Sequence, residues 1–142
     1  MTILDGKIDI GTGLVIEPRL TEAQFLSSFA GTAAMTFTQN GIYHSYKIQN
    51  MDVEGKNFLI LIYFADGILT EVQLHPEFIK NNKWAAYSSK DEVDNKLSND
   101  SWLQKTIGAA PPYVFSWGSI ESVLDKKSCM TFILLRYKKL IF

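Results

Sequence analysis

The chain of 142 residues holds two histidines, His44 and His75, and one cysteine, Cys129. A hydroxyl or thiol nucleophile needs a base within hydrogen-bond reach, and that base is usually histidine. His44 falls in an alternating run with Ile42, Tyr46 and Ile48, where a histidine donating to a backbone carbonyl is the plain structural reading. His75 precedes Pro76 and reads as the exposed end of a strand. Either could do acid–base work with a carboxylate, but none of the fifteen acidic residues is singled out by spacing. No Gly-x-Ser-x-Gly elbow is present, and Trp117-Gly118-Ser119 reads as strand interior. Cys129, beside Met130 and Phe132, reads as a small buried hydrophobe. No catalytic residue is assigned, and the chain is expected not to be an enzyme.

The densest charge is Asp91, Glu92, Asp94 and Asp100, with Lys90 and Lys96 interleaved. Metal sites need tighter ligand patterns, so this segment reads as a solvated helix face, and no metal or cofactor is expected. A lone cysteine excludes an internal disulfide framework and zinc sites with two or four cysteines. Gly11-Thr12-Gly13 lacks the third glycine, lysine and following helix of a phosphate cradle, and reads as a turn. Net charge is −1, and Lys126, Lys127, Arg136, Lys138 and Lys139 gather only at the ends of the last hairpin. That excludes a nucleic-acid footprint.

Aromatic residues reach 13%. Strand alternation would expose Tyr43, Tyr63, Tyr113, Phe115 and Trp117 on one face, unless helices cover it. Exposed Tyr and Trp suit a protein interface, since they bring large area at small entropy cost. The competing arrangement is a pocket for a small ligand, with His44, Tyr46 and Tyr63 as its polar groups.

The elements that must position these residues are legible in outline. Ile8, Ile10, Leu14 and Ile16 read as strand material. Thr21 then caps a short helix, with Gln24 completing a capping box, Leu20 stapling onto Phe25 and Gly31 as the stop. Asn40-Gly41 and Asp66-Gly67 mark hairpins, and the run Phe58 to Ala65 is apolar on both faces, as in a central strand. Ser88 or Ser89 opens a helix towards Ile107, with Val93, Leu97, Leu103 and Ile107 on one side and Gly108 as the stop. A break at Asn99-Asp100-Ser101 is expected, because these residues favour caps. Tyr113 to Leu124 and Cys129 to Tyr137 form the last hairpin. The sum is a single α+β domain: an antiparallel sheet of about six to eight strands with two helices.

No run approaches the roughly twenty apolar residues of a membrane helix, and the first residues show no secretory leader, so a cytoplasmic protein without membrane contact is expected. The segments Lys83 to Ser88, Ser101-Trp102-Leu103 with Gly108, and Phe115-Ser116-Trp117-Gly118-Ser119 through Lys126 resemble a group of small bacterial proteins with a tryptophan-glycine strand before a terminal hairpin. The likeness covers about residues 15 to 137 and its motifs look structural. In size and style the chain is also similar to immunity proteins, which neutralise a toxin made by neighbouring or sister cells. That likeness implies a protein partner, a cognate toxin, bound and occluded by a monomer or homodimer. The interface expected is Asp91, Glu92, Asp94 and Asp100.

Overall fold

The computed structural model describes residues 3–10, 14–76, 89–128 and 130–138, apart from the side chains of Phe29 and residues 89–92. A 3-10 turn, Ile3–Asp5, and a two-stranded ribbon of β1 (Ile8–Asp9) and β2 (Val15–Ile16) come first. Helices α1 (Glu22–Ser27) and α2 (Phe29–Ala33) follow, then β3 (Met35–Asn40), β4 (Tyr43–Val53), β5 (Lys56–Ala65) and β6 (Ile68–Pro76). Helix α3 (Ser89–Ile107) leads to β7 (Tyr113–Phe115), β8 (Gly118–Asp125) and β9 (Met130–Tyr137). Strands β3 to β9 make one antiparallel seven-stranded sheet in the order β3-β4-β5-β6-β9-β8-β7. The fold is α+β, with the last strand in the sheet's interior.

Alternation sorts the two faces. Tyr46, Ile62, Val72, Leu135, Ile120 and Tyr113 stand in register across six strands, and all are buried. The next row, Lys47, Leu61, Gln73, Leu134 and Glu121, points to the other face. Phe58, Ile60, Ile62 and Phe64 of β5 are 0–1% exposed, as a central strand requires. Phe25 of α1 packs on Tyr46 and Phe64 at 5.4 and 5.7 Å between ring centroids, while α3 lies against β8 and β9.

Several expectations are corrected. The first helix does not run to Gly31: Ser28 ends α1 and caps α2, its Oγ accepting from the Gly31 amide at 3.0 Å. That makes three helices among the described residues. Helix α3 does not break at Asn99. Instead of capping, the fully buried Asn99 accepts from Lys56 Nζ at 3.1 Å, and Asp100 takes both its hydrogen bonds from Lys96 one turn back, at 3.0 Å each. The buried side of α3 is rotated relative to the expected one. Leu103 is buried, but Val93 and Leu97 are 47% and 60% exposed, and Trp102 turns inward onto Phe58 at 5.2 Å.

Tyr113 to Leu124 is two strands, because Ser116-Trp117 is a tight turn joining β7 and β8. Trp117 is held there by stacking on Phe115 at 5.3 Å, by packing at a tilt on Tyr137 at 5.2 Å, and by donating from Nε1 to Leu4 O at 2.7 Å. Gly118 lacks a side chain where the backbone of β9 comes close. A Cβ there would lie 1.8 Å from the Arg136 carbonyl oxygen, at a φ of 154°. Cys129, Gly11-Thr12-Gly13, Lys83 to Ser88 and the last four residues lie outside the described residues. No helix among the described residues is long and apolar enough to cross a membrane.

Candidate functional site

The first polar constellation is built where α1 meets the sheet. The capping box forms as the sequence predicts, Gln24 N donating to Thr21 Oγ1 at 3.1 Å and Thr21 N to Gln24 Oε1 at 3.0 Å. The entry is stitched to the β5–β6 turn by Glu22 N to Gly67 O at 2.8 Å and Leu69 N to Leu20 O at 2.9 Å. Glu22, in the first turn of α1, therefore faces β4.

Its Oε2 lies 2.8 Å from His44 Nδ1 and also accepts from the Tyr46 hydroxyl. His44 Nε2 is 3.1 Å from Gly41 O, so both ring nitrogens face acceptors. Partial burial raises the Glu22 pKa, but the hydrogen bonds from Tyr46 and His44 and the His44 charge outweigh it, leaving the carboxyl below its ordinary range. Burial, then the hydrogen bond to Glu22 and its charge, push Tyr46 up. The cluster clamps α1 to β4, with no ring nitrogen left over to act as a base.

Of the expected ligand-binding residues, His44 and Tyr46 thus come together and Tyr63 does not. Tyr63 pairs with Ser45, one residue out of step with Tyr46, so it stands on the opposite face, where burial and then Glu71 raise its pKa. That face carries a hydrogen-bonded row. Gln73 Nε2 donates to Glu71 Oε2 at 2.8 Å, and His75 Nε2 donates to Gln73 Oε1 at 2.9 Å. His75 is not an exposed strand end. It is 9% exposed and stacked on Phe132 at 4.9 Å, and burial lowers its pKa to about 4.

The expected partner-binding residues share α3. Asp94 is exposed, Asp100 is neutralised by Lys96, and the side chains of Asp91 and Glu92 lie outside the described residues. Asp94 does have exposed Val93 and Leu97 for company. Of the five aromatics expected on the surface, only Tyr43 is exposed, at 61%. Tyr113 is buried and donates to Ala109 O at 2.9 Å; Phe115 and Trp117 are partly buried against the core.

The sheet's first edge was missed. Every residue of β3 is exposed, and the register shifts between Thr36 and Thr38, leaving Phe37 without a partner on β4. Met35 and Phe37 of β3, and Ile42 and Tyr43 where the chain turns into β4, are each more than 45% exposed. The signal was in the sequence: Met35 to Asn40 holds neither charge nor proline, the usual guards of an edge strand. Among the described residues no group of three His, Cys, Asp or Glu is placed to hold a metal ion. No family model, curated protein or solved structure matches this chain.

Proposed function

We propose that the chain is a non-catalytic protein-binding domain that adds a neutral strand of its partner to the β3 edge. The observation that carries this reading is the six-residue edge strand, exposed throughout and followed by the exposed Ile42 and Tyr43. Unpaired backbone groups beside large apolar side chains are a template for strand addition. Because the edge is uncharged, the matching partner segment is uncharged as well, with apolar residues against Met35 and Phe37. The absence of catalysis is supported by the engagement of both His44 nitrogens and by the stacking of His75. The style shared with immunity proteins makes a toxin the first partner to test. Asp91, Glu92 and Asp94 act in this reading as a steering charge rather than as the contact itself.

The test is kinetic. A stoichiometric partner captured by the wild-type protein is titrated against wild type, Phe37→Lys, and the triple reversal Asp91→Lys, Glu92→Lys, Asp94→Lys. Phe37→Lys should weaken the complex by at least about tenfold with the fold intact by circular dichroism, while the triple reversal slows association and leaves dissociation unchanged. Equal binding by Phe37→Lys, or a homodimer that occupies the β3 edge instead, would remove this reading.

A further inference from the structure

The opposite edge of the sheet is built differently. Strand β8 runs for eight residues, but its outer neighbour β7 covers only three, and their ladder ends at Tyr113 opposite Ile120. Immediately before Tyr113 stand Pro111 and Pro112, which have no N–H with which to extend the ladder. From Glu121 onward β8 therefore has a partner on one side only, β9.

The direction of its backbone groups follows from one bond. Lys138 N donates to Trp117 O at 2.8 Å, so residue 117 and every second residue after it turn their amides and carbonyls towards β9. Ser122 and Leu124 fall in the other set, and their N–H and C=O groups point into the position that β7 vacates. No backbone bond meets them there among the described residues. The Ser122 hydroxyl is also buried without a partner.

A cleft of about 490 Å³ opens at the Ser122 end of this stretch, with Pro111 and Pro112 of the segment before β7 also in its lining. Its lining includes Ile120 and Ser122 from one face of the sheet and Ser119 and Glu121 from the other. A lining that runs through four consecutive residues of β8 places the cleft beside the strand's edge and not only over one face. The far wall is α3, with Leu103 between the neutralised Lys96–Asp100 pair and Gln104.

We infer that this cleft accepts an extended segment of another polypeptide, added as a strand along Ser122 and Leu124, with alternating apolar and basic side chains. Apolar side chains of the guest enter against Leu103, Tyr113 and Ile120. The intervening ones fall in the row of Glu121, which is exposed and has no ion pair among the described residues, and of the exposed Asp125. Cross-strand neighbours of opposite charge attract and like charges repel, so those positions select lysine or arginine. This surface is separate from the β3 edge and goes beyond the function proposed above.

The probe is an end-blocked hexapeptide alternating valine and lysine. Its controls are the valine–glutamate counterpart and the valine–lysine peptide with methylated backbone nitrogens. Read by amide exchange and chemical shift in the intact protein, the valine–lysine peptide should slow exchange at Ser122 and Leu124 and bind about tenfold tighter than the glutamate peptide. Backbone methylation should abolish binding. Glu121→Lys, on an exposed side chain, should reverse the preference, and Phe37→Lys should leave it unchanged. Unprotected Ser122 and Leu124 amides at saturating peptide, or a preference indifferent to Glu121→Lys, would overturn the inference.

Discussion

The two ends of the sheet solve the edge problem in opposite ways. At the β3 end the strand is long, uncharged and uncovered, and order is supplied from behind by the Glu22, His44 and Tyr46 cluster that fastens α1 to β4. At the β7 end the outer strand is short, prolines cut it off, and order comes from rings: Phe115, Trp117 and Tyr137 stacked over the residues that precede β1. One end is tied by charge-assisted hydrogen bonds, the other by close steric fit. A polar clamp and a steric clamp should fail differently, and the following variants separate them.

The largest effect is expected at the steric end. Gly118→Ala places a methyl carbon against a β9 carbonyl that cannot move without breaking the ladder, so about 3 kcal/mol or more should be lost in urea unfolding. A loss below about 1 kcal/mol would mean that the two strands are not this close.

Between the ends lies His75. Its pKa is about 4 in the fold against 6.5 when free, so between these values the unfolded chain binds more protons and stability rises with pH. Stability present above pH 6.5 is lost as pH falls, by about 2 kcal/mol between pH 7 and 4.5. His75→Gln should flatten this slope; an unchanged slope would assign it to other groups.

The polar end should respond least. Glu22→Gln keeps an acceptor oxygen but removes the charge that strengthens both hydrogen bonds to it, which costs about 1–2 kcal/mol at neutral pH. Because the Glu22 pKa is depressed, its contribution is present above the ordinary carboxylate range and fades as pH falls through the lowered value. The gap between wild type and variant should close in acid, while that of Gly118→Ala persists.

What could be read from the sequence was local. The Thr21 capping box, the Asp66-Gly67 turn and the Gly108 stop each depend on residues within one turn of one another, and each is present. Asn40-Gly41 shows the limit of such rules. The turn is there, but its two central residues are Gly41 and Ile42, with Gly41 at a φ of 63° in the first central position, as a type II′ turn requires. Asn99 stays inside the helix, where its side-chain oxygen accepts from Lys56, a residue too distant in sequence for a local rule to foretell. The Glu22 cluster was out of reach for the same reason: half of it was named in His44 and Tyr46, but nothing local points from them to a carboxylate more than twenty residues earlier. The cleft beside β8 was half written in Pro111-Pro112, and became readable only once β7 proved to end there.

The position of β9 has a consequence for how the protein is made. Strand β9 leaves the ribosome after both of its neighbours, β6 and β8, and is inserted between them, and Tyr137 then bonds to Gly6 O across 131 residues of chain. Until it arrives, β6 and β8 each present a bare interior edge and the core row lacks Leu135. Contacts of such sequence separation form slowly, and exposed strands aggregate while they wait. The nascent chain therefore passes through a stage in which its central edges, rather than β3, are the surfaces most in need of a chaperone.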